Sequence, residues 1–212
     1  PVSFRLGIFS MFISTTVGVL FGIIAALRQG KVIDRVVMVA ATLGIAVPSF
    51  VVATVSIIIF SVQLRLLPAY GFDSFSQYIM PGFALSFSSL SFMARLMRSS
   101  MLDVIHQDYI KTARAKGVSR GFIIFKHALR NAIIPIVTYL GPLSAGILTG
   151  SFVVEKIFNI PGLGRYFVES ITQRDYPTIL GVTIFYGAFL IAMNFLVDLS
   201  YGIIDPRIKI QE

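Results

Sequence analysis

Cysteine is absent from the 212-residue sequence. That removes a disulfide framework, a thiol nucleophile and any thiolate metal site. Charge is scarce: Asp, Glu, Lys and Arg make up 13% of the chain, against about 25% in a soluble domain. Histidine occurs only at His106 and His127, with no cluster of further ligands, so polar surface explains the pair better than a metal does. No G-x-x-x-x-G-K-[ST] occurs, so the chain carries no P-loop for ATP. The first apolar run lacks a basic leader and an A-x-A-type cleavage site, and is long enough to span a membrane rather than serve as a signal peptide. The chain starts at Pro1 without Met, and further residues are expected upstream.

What remains is strongly apolar: 56% hydrophobic residues, with 19 Phe. This composition predicts an integral membrane protein. A net charge of +8 would suggest nucleic acid in a soluble protein; here the positive-inside rule accounts for it, and no nucleic-acid partner is expected. Five charge-free runs cover residues 6–27, 36–64, 74–94, 131–154 and 176–197. Each meets the length of about 20 residues that a spanning helix needs. Their apolar character is continuous rather than alternating, which excludes strands. Ser74, Ser76 and Gln77 make the third run polar at its start, so its helix is expected at 79–97. The chain therefore reads as one transmembrane domain over 1–212, all-α, with spans near 6–27, 36–62, 79–97, 131–154 and 177–200 around a loop at 98–130. Most of the 18 basic residues fall in the 28–35 loop, in the stretch from Arg95 to Arg130, and at the C-terminus. These segments are placed in the cytoplasm, within a multi-pass protein of the cell inner (plasma) membrane.

None of the five runs contains Asp, Glu, Lys, Arg or His; Glu155 and Asp198 lie at run ends. Ion-coupled carriers and proton pumps use ionisable groups near the midplane, and an intramembrane hydrolase needs a nucleophile with a base or metal. Neither class fits, and no catalytic residue, cofactor or metal site is expected. Active transport through this chain would draw its energy from another subunit. Gly18 with Gly22, and Gly146 with Gly150, give G-x-x-x-G spacings that allow close helix approach, either within the chain or at a seam with a second membrane subunit. Pro48, Pro135 and Pro142 predict kinks, or a helix start in the case of Pro135. The loop 155–176 carries a Pro-Gly turn and a short helix expected at 165–172.

The polar stretch 103–130 separates two apolar halves and carries Lys111, Arg114, Lys116, Arg120, Lys126 and Arg130. Met101, Leu102, Ile105, Tyr109 and Ala113 fall near one helix face. Gly117 suits a helix stop, and Ser119 suits the N-cap of a second helix through Phe122, Phe125 and Leu129. Periodicity leaves two readings open: a basic amphipathic pair lying on lipid, or a docking site for a partner.

The run Asp108-Tyr109-Ile110-Lys111-Thr112-Ala113-Arg114-Ala115-Lys116-Gly117, followed by 127–135 (HALRNAIIP), resembles the cytoplasmic EAA loop of ABC importer permeases. More narrowly, it resembles the peptide/nickel branch, and most of all the B-type oligopeptide permease. Ala46-Val47-Pro48-Ser49-Phe50, Ile160-Pro161-Gly162-Leu163-Gly164-Arg165 and Arg174-Asp175-Tyr176-Pro177 are similar as well, as are Asp198 and Asp205-Pro206-Arg207, so the resemblance spans the chain. It implies a type I importer permease fold with a sixth, N-terminal helix upstream. It also implies that Asp108, Tyr109, Lys111, Thr112, Ala113, Arg114, Ala115, Lys116 and Gly117 form a coupling helix. The implied partners are two cytoplasmic ATP-binding subunits, a second permease subunit in a heterodimer, and an extracytoplasmic binding protein delivering peptide. Arg165, Arg174 and Asp175 are candidate contacts for that binding protein. Lys111, Thr112 and Ala113 stand where the general pattern has Glu-Ala-Ala, and Arg130 where it has Pro, so no salt bridge carries over from that Glu. A nickel, dipeptide or glutathione importer would share this architecture; a channel, carrier or membrane enzyme would not.

Overall fold

The computed structural model describes residues 2–148 and 151–204, the latter without the side chains of Val197, Asp198 and residues 200–204, and the former without that of Ala145. The described residues form helices and connecting turns only: α1 Val2–Leu27, α2 Val32–Ala46, α3 Ser49–Ser56, α4 Phe75–Ile105, α5 Asp108–Ala115, α6 Arg120–Phe122, α7 Leu129–Ala132, α8 Ile134–Leu148, α9 Phe152–Ile157, α10 Leu163–Gln173 and α11 Tyr176–Ile204. π-Helical turns extend α3 over Ile57–Gln63 and join α6 to α7 over Ile123–Ala128. Among the described residues α1, α4 and α11 are each long and apolar enough to cross a membrane, the stretch 134–157 that holds α8 and α9 counts as a fourth span, and α2 with α3 and its π-helical extension makes a fifth if the bent pair counts as one.

The second expected span is the element that differs most. Pro48 follows α2 and caps α3, and the two segments meet at 104°. Proline lacks the N–H that would continue the ladder and clashes with the preceding turn; Val47, extended at ψ 121, adopts the backbone that a pre-proline residue prefers. The third span is longer than expected. Ser74 and Gln77 form a capping box, with Gln77 Oε1 accepting the Ser74 N–H at 2.9 Å, so the polar start at 74–77 belongs to the helix cap. At its other end α4 continues to Ile105, which absorbs the first residues of the expected loop into the span. Pro135 lies in the first turn of α8, and Pro142 inside it. The short helix expected at 165–172 is α10.

α4 is the axis of the bundle, with α1, α2, α3 and α8 against it. Along α1, a Cβ on Gly18 would stand 2.7 Å from the Leu90 carbonyl and from Met93 Cβ, and one on Gly22 2.6 Å from the Ala94 carbonyl and Met97 Cβ. This G-x-x-x-G pair therefore serves packing within the chain. Gly150, the partner expected for Gly146, lies outside the described residues, as does Asp205-Pro206-Arg207. The main core runs through Met93, Met97 and Met101 of α4 to Ile110, Ile123, Ala128, Ala132 and Ile136. Large apolar side chains such as Phe12, Ile184 and Ile191 are exposed, as on helices solvated by lipid.

One ion pair ties the basic end together. Arg98 Nε lies 2.5 Å from Asp34 Oδ1 and Nη2 lies 2.8 Å from Oδ2, while the Gly30 N–H donates to Oδ2 at 2.9 Å. The Asp34 side chain is 5% exposed and that of Arg98 26%. Removing one partner strands a buried charge, whereas replacing both with apolar residues does not. Asp34→Leu should therefore cost about 3 kcal/mol, and the double variant Asp34→Leu/Arg98→Met clearly less. Thermal melts of the purified protein check the ranking.

Candidate functional site: the coupling segment and the opposite loop

The helix expected to run through residues 101–113 breaks after Ile105, and Gln107 begins α5 in an extended conformation. α5 is not a detached loop. Ile110 is fully buried among Met101, Ile123 and Ala128. Asn131 Nδ2 donates to Tyr109 Oη at 2.7 Å and to the His127 carbonyl at 3.1 Å, which ties α5 to the returning segment. Gly117 has φ +76. Its N–H donates to the Arg114 carbonyl at 3.0 Å, and the Val118 N–H to that of Ala113 at 3.2 Å. This is a Schellman stop, and Ala113 and Val118 close it by packing on the main core.

α5 thus has two faces. Ile110 and Ala113 point into the protein, whereas Asp108, Lys111, Thr112, Ala115 and Lys116 are exposed. Lys111 Nζ pairs with Asp108 Oδ1 at 2.8 Å, and that ammonium holds the Asp108 carboxyl below its usual range. Arg114 lies about 40° round the helix from Ile110, on the flank of the buried face. The second segment breaks the expected pattern: Phe125 is 73% exposed, while Ile123 and Ala128 are buried. The π-helical turn over Ile123–Ala128 sets a five-residue step between them, which a 3.6-residue period misses. Ser119 stands at the N-cap without a side-chain hydrogen bond.

At the other end of the bundle the loop 158–164 closes around a carboxylate. Glu155 is fully buried. Ser3 Oγ donates to its Oε1 at 2.7 Å, the Arg165 N–H to Oε2 at 3.2 Å, and the Leu163 N–H to Ser3 Oγ at 2.8 Å. The carboxylate therefore sits at the start of α10, where free N–H groups and the helix dipole favour an anion. It joins α9 and α10 to the beginning of α1. Gly162 has no alternative here, because a Cβ would lie 2.3 Å from the Glu155 carboxyl carbon.

The three candidate contacts at this end are differently engaged. Arg165 pairs with Glu169 at 2.7 Å and reaches Asn159 Oδ1 at 3.0 Å. Asp175 accepts from the Thr178 N–H at 3.2 Å and from Thr178 Oγ1 at 2.5 Å; it caps α11, and the Thr178 hydroxyl lowers its pKa. Arg174 is exposed, with φ +57, and occupies the left-handed stop of α10. A cavity of about 480 Å³ lies beside them, lined in part by Lys156, Asn159, Arg165 and Glu169. Asp34, Arg98, Ile110 and the Tyr109–Asn131 bond escaped the sequence reading. For Glu155 a signal existed: an acid placed just before a Pro-Gly-x-Gly turn.

This helical fold is that of type I ABC importer permeases. It aligns with a chain of the MetNI methionine ABC transporter in inward-facing conformations at a TM-score of 0.71 and 19% identity, over 96% of this chain and 91% of that one. A crystal structure of an amino acid ABC transporter with histidines aligns at 0.65 and 21% identity, over 93% and 88%. The chain belongs to the family of binding-protein-dependent transport system inner membrane components, whose model matches residues 18–210. It is 54% identical over 212 residues to the dipeptide transport system permease protein DppB of Bacillus subtilis (strain 168), covering 100% of this chain and 69% of that protein. It is 43% identical over 211 residues to the oligopeptide transport system permease protein OppB of Escherichia coli (strain K12), covering 99% and 69%.

Two outcomes are expected at the loop. Gly162→Ala should destabilise the protein by about 1–3 kcal/mol through overpacking against Glu155, read as a lowered Tm. Arg174→Gly should instead stabilise it by about 1 kcal/mol, because glycine escapes the left-handed strain; an unchanged Tm would count against that strain.

Proposed function

We infer that the chain is the membrane-spanning permease subunit of an ATP-driven importer of peptides and forms half of the translocation path with a second permease subunit. ATP hydrolysis belongs to two separate cytoplasmic subunits, and an extracytoplasmic binding protein delivers the substrate. The basic end, with the C-terminus, faces the cytoplasm, in keeping with the positive-inside rule. The whole of 1–212 acts as one transmembrane domain.

The observation that carries the coupling role is the divided surface of α5. Its inner face is wedged into the core of the bundle through Ile110, and its outer face offers Asp108, Lys111, Thr112 and Ala115 to solvent. A helix held on one side and bare on the other can receive displacement from a partner and pass it to α4 and to the returning segment. ATP-driven closure of the partner subunits would then bias a bistable bundle. Ala113 takes part from the inside, by seating the helix. At the opposite end Arg174 is the candidate that remains available to a binding protein; Arg165 and Asp175 shape the surface around it.

Peptide as the substrate class is supported by relatives named for dipeptide and oligopeptide transport. Identity is 54% to one dipeptide permease, 42% to another and 43% to an oligopeptide permease, so short and longer peptides are both carried into the test. The test is uptake of labelled di- and hexapeptides by the complete transporter with its binding protein. ATP-dependent uptake of at least one is expected; uptake of neither, or uptake indifferent to ATP, would sink the assignment. In the same assay Ala115→Trp should abolish uptake and co-purification of the ATP-binding subunits while the Tm stays within about 0.5 kcal/mol of wild type in stability terms. Ala113→Trp should lower the Tm itself.

A further inference from the structure

We propose that Asp34 and Arg98 are positioning residues for energy coupling: they clamp the start of α2 and the α1–α2 turn to the inner end of α4, so that a displacement of α5 moves α1, α2 and α4 as one rigid body. The inference rests on the transport reading above and deepens it, since that reading carries the displacement no further than α4 and the returning segment.

Three helices meet α4 within two turns of Arg98. Arg98 stands about one turn before Met101, which belongs to the cluster that buries Ile110 of α5. α1 comes close at the same level: a Cβ on Gly22 would lie 2.6 Å from Met97 Cβ and 3.0 Å from the Arg98 backbone nitrogen. Asp34, in the first turn of α2, accepts from Arg98 through both carboxylate oxygens, with Nη2 at 2.8 Å from Oδ2. The Gly30 N–H, from the turn between α1 and α2, donates to the same Oδ2 at 2.9 Å. Among the described residues the other ion pairs, Lys111–Asp108 and Arg165–Glu169, each lie within a single helix; only Asp34–Arg98 joins two.

Burial decides between a clamp that stays shut and a lock that opens in each cycle. The Asp34 side chain is 5% exposed, and opening the pair would leave a desolvated carboxylate without its cation. The fork of two parallel bonds also fixes one orientation of the partners. Packed helices otherwise slide past each other in small shears; the fork and the Gly30 amide remove that freedom between α2 and α4. The unit has natural boundaries. The backbone leaves the helical ladder at Gln107, before α5, and at the 104° corner between α2 and α3. Such element ends are where hinged segments take up changes of angle.

The test uses the complete transporter with its binding protein in proteoliposomes and reads peptides taken up per ATP hydrolysed. In Asp34→Leu/Arg98→Met an apolar pair fills the site without the fork. Peptides per ATP should fall about tenfold, while ATP hydrolysis and co-purification of the ATP-binding subunits persist. Arg98→Lys, which keeps the charge but not the fork, should fall between. A ratio within about twofold of wild type in the double variant, or hydrolysis lost in parallel with uptake, would reduce the pair to a structural role. If the double variant does not assemble, the otherwise wild-type chain still decides. Spin labels at Val36→Cys and Asp103→Cys, both exposed positions, should keep one separation without nucleotide and with ATP trapped, while labels on the two ATP-binding subunits report closure. A shift of the 36–103 separation between the two states would make the pair a lock that opens and would overturn the clamp. Wild type without ATP-dependent uptake would overturn the transport reading itself; normal wild-type uptake beside an unaffected double variant would overturn the clamp alone.

Discussion

Lipid tails are as apolar as leucine, so helices in a bilayer gain nothing by hiding apolar surface from it; close contact has to hold them together. In this protein that contact is densest where α1 lies on α4. Gly18 and Gly22 remove two side chains and let the backbone of α1 reach Met93 and Met97. The rest of the bundle follows from this crossing. The same methionine row continues to Met101 and meets Ile110 of α5, so α5 rests on the same helix that α1 grips. An unbranched, flexible methionine is well suited to fill the irregular space between helices that cross at close range.

The two ends of the bundle are closed by polar groups that would be costly if left alone. At one end Asp34 and Arg98 neutralise each other, with the Gly30 amide completing the carboxylate's shell. At the other, Glu155 has hydrogen bonds and a helix dipole in place of a cation. The first arrangement bridges α2 and α4, and the second joins α9 and α10 to the start of α1. Among the described residues, α1 between Arg5 and Arg28 and α4 before Arg95 carry no charge, and these helices meet through small residues and methionine. A structure pinned at both ends and apolar between them can change the angles of its helices without breaking a buried polar contact at its middle.

Much of this was legible. Charge-free runs located the long helices, because the bilayer imposes length and composition together. The left-handed glycine at 117 and the short helix near 165–172 could be read from turn chemistry. Three features could not. Proline marked a kink at Pro48 but not its size: the 104° bend leaves the run of apolar residues uninterrupted, so hydropathy records one span where the backbone makes two helices. The π-helical turn at Ile123–Ala128 puts five residues between the buried Ile123 and Ala128 and leaves Phe125 outside, a step that a 3.6 period does not reveal. The Asp34–Arg98 and Glu155–Ser3 contacts join residues distant in sequence; a single chain without tertiary information has no period or spacing that marks them. In the segment 108–117, the sequence does not mark which residues look inward. Ala113 and Ala115 differ only by their position relative to Ile110.

The bend at Val47–Pro48 has a consequence for solvation. Where α2 stops and α3 begins, the last carbonyls of one helix and the first amides of the other lie beyond the reach of their own ladder; in α3 the Val51 and Val52 amides are the first to find a bond, both on the Pro48 carbonyl. Ala46 and Phe50 beside the bend are exposed. Hydrocarbon cannot satisfy such groups, and irregular backbone at membrane depth survives only against protein or water. Whatever lies over this corner therefore brings polar atoms with it. On an otherwise greasy surface it marks a wet spot, where the bundle cannot be sealed by lipid alone.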